Sequence, residues 1–201
     1  MTKEPIFLFD LDSTVTKREI LPTIAAMVGL GDEMRDLTER CMNGRLPFRE
    51  SFLSRVDLLR GVPVSQVSDA VGEIPVHEEL CEFMREHKNR CYIVTGNLDV
   101  WIDKLISRIG MTDNVFCSHG IVSDDKLLGA ASVIDKRLTV EQFVGPLVAV
   151  GDGSNDADMI SMAEVGIGFG GVRHIAPSVL ELCTHAIYEE ERLVRFLGRL
   201  S

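Results

Sequence analysis

The sequence predicts an α/β fold in which a doubly wound parallel sheet carries a small helical cap after its first strand. Two observations support this prediction. Short apolar runs that each end in a polar group alternate with helical patterns, which is typical of a parallel sheet with helices on both faces. The alternation is interrupted between residues 17 and 75, where helix signals follow one another without a convincing strand.

Three apolar runs predict the buried strands of the sheet. They span residues 6–9, 91–94 and 147–150. Asp10 follows the first run, Thr95 and Gly96 follow the second, and Asp152 lies just beyond the third. Because ligands bind outside the carboxyl ends of parallel strands, we expect these polar termini to converge on one site.

Helical patterns lie between and after these runs and complete the predicted core. They cover residues 76–87, 100–109, 156–163 and 190–200. Glycine and proline punctuate the interrupting stretch as helix stops and restarts, which predicts four short helices there. The predicted organisation is a core formed by residues 1–16 and 76–201 and a cap formed by residues 17–75.

Composition and charge exclude several classes of partner. The 201 residues are enough for one domain with a modest insertion. The formal net charge of -10 would repel nucleic acid and acidic membrane surfaces. No apolar stretch approaches the roughly 20 residues that span a bilayer, and five scattered cysteines are typical of reduced thiols. We therefore expect a cytoplasmic protein that binds neither nucleic acid nor a membrane, and the sequence leaves its oligomeric state open.

Two acids lie two positions apart directly after the first predicted strand. Asp10 and Asp12 therefore project from its end toward the same space. One carboxylate can attack a phosphoryl group to form an acyl-phosphate, while a second can protonate the leaving oxygen and then activate water. The pattern predicts Asp10 as nucleophile and Asp12 as general acid and base. A pair of turn-forming or capping acids is the alternative interpretation.

The turn after the third predicted strand, residues 151–156, presents two further acids on a glycine-rich backbone. Oxygen ligands of this kind favour Mg²⁺, which is usually held by one or two carboxylates together with substrate phosphate. The predicted ligands are Asp10, the carbonyl of Asp12, and Asp152, while Asp156 is expected to orient the metal waters or a nearby lysine. The alternative is an ordinary surface turn.

Phosphate contacts are predicted at two further places. Thr95 and Gly96 offer a hydroxyl and open backbone amides to a phosphoryl oxygen. Lys136 lies upstream of the third strand, where an ammonium can neutralise charge that develops on the equatorial oxygens during transfer. A solvated lysine beside Asp135 and Arg137 is the alternative interpretation of that position.

These four motifs occur in the order, and at the strand ends, of the phosphatases of the haloacid dehalogenase superfamily, which the chain resembles over its whole length. The resemblance implies a Rossmann-like sheet of the haloacid dehalogenase type, with the insertion as a helical cap. It agrees with the Mg²⁺ cofactor and the covalent chemistry predicted from the residues. Members that transfer halides or pump ions lack a second acid such as Asp12.

Among these phosphatases, the chain is most similar to the phosphoserine phosphatases. By that resemblance Glu19 would hold the substrate amine, Arg55 the substrate carboxylate, and Phe48 would be the aromatic residue near it. The residues themselves agree in part. If Pro47 opens a helix, Arg55 lies within an apolar stripe, so it needs an anion or must extend to solvent. The resemblance also implies a place in serine biosynthesis.

The chain departs from the phosphoserine phosphatases in three places. Asn97 stands where they usually have a second glycine, the segment between Lys136 and Asp152 is shorter, and residues 169–174 replace their usual alanine, lysine and proline sequence. The remaining substrate-binding residues predicted are Gly96, Asn97 and Asn155.

The sequence therefore predicts a Mg²⁺-dependent phosphomonoester hydrolase that acts on phosphoserine or a similar small amino-acid phosphate. Two alternatives stay open. One is a phosphatase or phosphotransferase for another small phosphomonoester, motivated by Asn97 and the changed segment around Arg173. The other is a phospho-accepting signalling or binding module, because receiver domains also phosphorylate an aspartate on a doubly wound sheet.

Overall fold

The computed structural model of the chain describes residues 4–42 and 45–201. Its strands are β1 (Ile6–Phe9), β2 (Cys91–Leu98), β3 (Val115–Ser123), β4 (Lys126–Ser132), β5 (Leu147–Gly151), β6 (Val165–Phe169) and β7 (His185–Ile187). Its helices are α1 (Ile20–Met27), α2 (Gly31–Met42), α3 (Phe48–Leu59), α4 (Val64–Gly72), α5 (Glu78–Glu86), α6 (Asp99–Ile109), α7 (Lys136–Val140), α8 (Ala157–Met162), α9 (Pro177–Leu180) and α10 (Glu190–Leu197).

The strands form one sheet in the spatial order β4-β3-β2-β1-β5-β6-β7. The predicted strands are confirmed as β1, β2 and β5, and they lie side by side at its centre in parallel. Phe7, for example, is in register with Cys91 on one side and with Val148 on the other. The carboxyl ends of the three strands therefore meet at one edge of the sheet.

Side chains of β1 alternate between two hydrophobic clusters, one on each face of the sheet. Phe7 and Phe9 belong to the larger cluster, which also takes in side chains of α5, α6, α10 and the helices between β1 and β2. Leu8 belongs to the other cluster, with Ile160 of α8 and Val179 of α9. Because both faces are covered, the doubly wound arrangement predicted from the sequence is confirmed.

Four helices, α1 to α4, lie between β1 and α5 within the described residues, as many as the sequence predicts for the insertion, and α5 then leads to β2. The chain leaves and re-enters the core through two neighbouring segments, where Thr16 forms a bridge with Val76 and the Lys17 amide donates to the Pro75 carbonyl at 2.7 Å. The predicted limits of the cap, residues 17 and 75, fall at this crossing. No helix in the described part of the chain is long and apolar enough to cross a bilayer.

The sheet is not wholly parallel, because β3 and β4 form an antiparallel hairpin at its edge. Asp124 and Asp125 form its two-residue turn with φ values of 50° and 61°, and positive φ at both central residues is typical of a type I′ turn. Such turns usually contain glycine or asparagine, so the pair of aspartates gave no strong hairpin signal. The strands β6 and β7 were not predicted either.

Candidate active site

The polar groups at the ends of β1, β2 and β5 converge on one pocket beneath the cap helices. Its core side is lined by Asp10, Asp12, Thr95, Gly96, Asn97, Ser154 and Asn155, and its cap side by Thr38, Cys41, Phe52 and Arg55. Glu19 and Arg173 line it as well. Nearly all the residues predicted to carry the chemistry therefore lie in one place.

Lys136 lies between the acids of the first and last motifs. Its Nζ contacts Asp10 Oδ1 and lies 2.6 Å from Asp156 Oδ1. The lysine is the first residue of α7, and the Asp135 side chain caps that helix by accepting from the Leu138 amide. Burial disfavours the charged ammonium, but the two carboxylates outweigh this effect and raise the pKa of Lys136. The lysine is therefore a buried cation and not the solvated residue of the alternative interpretation.

Asp10 is almost completely buried at the end of β1. Burial raises its pKa well above the usual value, as do the negative charges of Asp156 and Asp152, while Lys136 opposes the shift. The hydrogen bond from Lys136 engages Oδ1, and no described residue donates a hydrogen bond to Oδ2. One oxygen of the predicted nucleophile is thus held, and the other is left for the pocket.

Asp156 fixes the turn that carries Asp152. Its Oδ2 accepts from the backbone amides of Asp152 at 3.0 Å and of Gly153 at 2.8 Å, while its Oδ1 is bound by Lys136. A Cβ at Gly151 would lie 2.6 Å from Asp156 Cγ, so only glycine allows the strand to pass this carboxylate. Both Asp156 oxygens are occupied, which fits an orienting role and not direct ligation of a metal.

Oxygens of Asp10, Asp152 and Asp156 lie within 4.8 Å of one another, and all three residues are buried. The pKa of Asp152 is raised to about 7, chiefly by burial and also by the negative charges of Asp156 and Asp12, against the opposing charge of Arg173. Grouped buried carboxylates are unfavourable unless cations compensate them. The donor set consists of hard carboxylate oxygens beside the pocket that Asp10 lines, and it fits a divalent ion such as Mg²⁺.

Asp12 reaches the pocket through a turn in which Ser13 has a φ of 65°, an uncommon conformation for a residue other than glycine. Its Oδ1 accepts from the Ile20 amide at 2.9 Å, at the start of α1. Burial raises the pKa of Asp12 to about 6, against the opposing charge of Arg173. A carboxyl group with this pKa can both donate and accept a proton near neutral pH.

Thr95 and Asn97 form a small polar group at the end of β2. Thr95 Oγ1 lies 3.2 Å from both the amide nitrogen and Nδ2 of Asn97. Asn97 Oδ1 is buried without a hydrogen-bond partner among the described residues. Asn97 therefore brings a polar side chain to the pocket at a position where the resemblance led us to expect glycine.

Arg55 faces the pocket from α3. Its Nε lies 3.3 Å from the Ser51 carbonyl oxygen, and no described acid lies within ion-pair distance of its guanidinium. Burial lowers its pKa, so the arginine lies in a desolvated position that favours an anion. The side chain of Phe48, the aromatic residue predicted to lie near Arg55, is outside the described part of the structure.

Arg173 is the residue of the pocket whose role the sequence did not predict. Its Nη1 donates to Glu19 Oε1 at 2.9 Å, and its Nε contacts Asp152 Oδ2. Burial disfavours the cation, but Asp152, Glu19 and Asp12 outweigh it and raise the pKa of Arg173. The departure of residues 169–174 from the phosphoserine phosphatase pattern was the available signal, although it indicated a changed segment and not this contact.

Comparison with known proteins identifies the family of this chain. Residues 7–161 match the family described as haloacid dehalogenase-like hydrolase. The chain belongs to this family. The matched region includes Asp10, Asp12, Lys136, Asp152 and Asp156, so the buried acids and the lysine between them are part of it. A phospho-accepting signalling module is therefore no longer an alternative.

Individual relatives narrow the resemblance. Phosphoserine phosphatase of Methanocaldococcus jannaschii is 33% identical over 182 residues, which cover 83% of this chain and 86% of that protein. A solved structure of a substrate-bound phosphoserine phosphatase complex has a TM-score of 0.82 at 28% identity, covering 98% of this chain and 99% of the other. A phospho-aspartyl intermediate analogue of phosphoserine phosphatase gives 0.81 at 28% identity, covering 96% and 99%. The chain is a phosphoserine phosphatase-like hydrolase of phosphoric monoesters.

Proposed function

We propose that the chain is a Mg²⁺-dependent phosphatase that works through an aspartyl-phosphate on Asp10 and acts on phosphoserine or a similar small amino-acid phosphate. The observation that carries this proposal is the position of Lys136. It binds Asp10 and Asp156 at once and so brings the first and last motifs, far apart in the chain, into contact with one ammonium. Cytoplasmic location and a place in serine biosynthesis remain predictions of the sequence.

In the first step, Asp10 Oδ2 attacks phosphorus and the bond from phosphorus to the alkoxide oxygen breaks. Asp12 donates its proton to the departing oxygen, so that the alcohol leaves neutral. In the second step, Asp12 takes a proton from water as the water attacks phosphorus. The bond between phosphorus and Asp10 then breaks, and inorganic phosphate and the free carboxylate are formed.

Charge on the phosphoryl oxygens is balanced by groups of this chain. Lys136 Nζ lies beside Asp10 Oδ1 and supplies a fixed positive charge, while the Thr95 hydroxyl and the Gly96 amide are donors at the end of β2. Asn155 lines the same pocket and adds a side-chain amide. Asp10, the Asp12 carbonyl and Asp152 would hold Mg²⁺, which when bound neutralises charge on the transferring group.

The proposed substrate follows from the cap side of the pocket. Arg55 is partly buried and has no ion-pair partner among the described residues, so a substrate carboxylate is a suitable anion for it. Glu19 is the acid of the pocket that would contact the substrate ammonium. The relatives that cover most of this chain are named phosphoserine phosphatases, which supports an amino-acid phosphate.

A second candidate is hydrolysis or transfer of another small phosphomonoester. Two observations favour it. Arg173 already forms an ion pair with Glu19, and Asn97 adds a side chain to the pocket. Both change the surface that would meet the substrate beyond its phosphate.

Release of inorganic phosphate from a panel of monoesters tests the proposal. We expect L-phosphoserine to be hydrolysed faster than sugar and nucleotide phosphates, with activity lost in EDTA and restored by Mg²⁺. Asp10→Asn should lower kcat by at least about a thousandfold, and acid-quenched wild-type enzyme should carry an acyl-phosphate that hydroxylamine releases. Undiminished turnover by Asp10→Asn would show that another group is the nucleophile.

A further inference from the structure

Arg173 joins two acids of the pocket from outside the sequence motifs. It lies in the loop between β6 and α9, beyond the residues that match the family. One guanidinium nitrogen lies 2.9 Å from Glu19 Oε1, and another contacts Asp152. The side chains of Arg173 and Glu19 are only 24% and 27% exposed, so this ion pair is partly withdrawn from solvent.

Backbone hydrogen bonds hold both ends of the loop that carries Arg173. At one end, the Gly170 amide donates to the Ile187 carbonyl at 2.8 Å, and at the other the Ala176 amide donates to the Asp152 carbonyl at 2.8 Å. The guanidinium packs over Gly153, where a Cβ would lie 3.2 Å from Nη2. The ends of the loop are thus fixed, and the guanidinium itself is held by Glu19 and Asp152.

Glu19 is the pocket acid that the proposed reaction leaves available to a substrate cation. Asp10 is bound by Lys136, and Asp12 accepts from the Ile20 amide and carries the proton-transfer role. A substrate ammonium that approached Glu19 would share its carboxylate with a guanidinium, which is always charged. Repulsion between the two cations would cancel much of the attraction that Glu19 offers.

We propose that Arg173 is a specificity-determining residue: it forms an ion pair with Glu19 and so takes the place of a substrate ammonium. The site then accepts small phosphomonoesters that carry a carboxylate for Arg55, with or without an amine. L-phosphoserine is one member of this class, and the phosphates of small hydroxy acids are others. The inference rests on the proposed function, because it takes the hydrolysis of a phosphomonoester and the role of Arg55 from it.

Two compounds that differ only in the amine test the inference: L-phosphoserine and 3-phosphooxypropanoate. With Arg173 present, we expect their kcat/KM values to agree within about fivefold, whereas a free Glu19 would favour phosphoserine by about 10- to 100-fold. Arg173→Gln should raise the preference for phosphoserine by at least about tenfold, through its KM. Arg173→Lys keeps the charge and should leave the preference low.

Arg35→Gln is the matched control. Arg35 lines the same surface groove as Glu19 and Arg173 but pairs with Asp32 at 2.8 Å, so its removal should not change the preference. A wild-type enzyme that prefers phosphoserine by about tenfold or more, or a preference unchanged in Arg173→Gln, would overturn the inference.

Binding separates this test from the proposed function. Calorimetry with Asp10→Asn, alone and combined with Arg173→Gln, measures the affinity of both compounds without turnover. Nearly equal affinities that diverge when Arg173 is removed support the inference, and failure of both compounds to bind overturns it. Failure of the proposed function is recognised differently, as the absence of phosphate release by the wild-type enzyme from every monoester.

Discussion

Lys136 Nζ lies 2.6 Å from Asp156 Oδ1, and both side chains are almost completely buried. The other oxygen of the Asp156 carboxylate accepts hydrogen bonds from two backbone amides, and the Lys136 ammonium also contacts Asp10. The pair therefore connects the end of β1 to the turn after β5 through one chain of charged hydrogen bonds. Such a network is favourable while every member is paired and costly when one is removed.

Replacing Lys136 should affect both stability and catalysis. Lys136→Met leaves Asp10 and Asp156 buried beside each other without their cation, which should lower the free energy of unfolding by about 3–5 kcal/mol. Loss of the charge at the phosphoryl group should lower kcat by about 100- to 1,000-fold. Urea denaturation and phosphate release measure the two effects. The exposed neighbour Arg137, changed to Met, is the control and should change neither by a comparable amount.

The pH dependence of kcat/KM reports the proton on Asp12. Burial raises its pKa to about 6, so the carboxyl is protonated below that pH and ionised above it. Because the leaving alkoxide needs this proton, kcat/KM for an alkyl phosphate should fall as pH rises through about 6. Asp12→Asn should remove this dependence. A p-nitrophenyl ester, whose leaving group needs no proton, should depend on it much less, and identical profiles for both esters would contradict the role of Asp12.

Stability of the metal-free protein should decrease as pH rises. The folded-state pKa values of Asp12 and Asp152 are raised from 3.8 to about 6 and about 7. Between the ordinary and the raised values the native state binds more protons than the unfolded state, so the stability that these two groups contribute is fully present below about pH 4 and is lost as pH rises toward 7. Thermal melting in EDTA measures this slope. Asp152→Asn should flatten it, and a slope that stays the same in that variant would contradict the assignment.

Much of the reactive centre could be predicted because it lies at the ends of strongly apolar strands. Asp10, Thr95 and Asp152 each follow a buried run that reveals the strand, and parallel pairing then brings the three together. The four cap helices were also predictable, since glycine and proline mark their limits. Their exact contacts with substrate were not, because they depend on how the cap packs over the core.

The remaining elements have weak local signals. β6 contains Gly166 and Gly168, which reduce its apolar pattern, yet both glycines allow close packing. A Cβ at Gly166 would lie 2.6 Å from the Ile160 carbonyl oxygen. The pairing of Arg173 with Glu19 joins positions 154 residues apart, and no spacing rule connects them. Tertiary packing determined these features, so the sequence alone did not reveal them.

The fit of Gly151 against Asp156 can be tested without changing any charged group. A Cβ at Gly151 would lie 2.6 Å from Asp156 Cγ, which is closer than two non-bonded carbon atoms can approach without a clash. Gly151→Ala should therefore push the Asp156 carboxylate away from Lys136 and from the two backbone amides that donate hydrogen bonds to it. Overpacking of this kind typically costs about 1–3 kcal/mol, and a displacement of about 1 Å near the reacting atoms should lower kcat by about 100-fold.

Gly61→Ala is the matched control, because a Cβ there would meet nothing within 4 Å. Thermal melting and kcat of the two variants are compared under the same conditions. If Gly151→Ala remained folded with full activity, the carboxylate of Asp156 would have moved without consequence. Its bonds to Lys136, Asp152 and Gly153 would then not be what positions the acids for reaction.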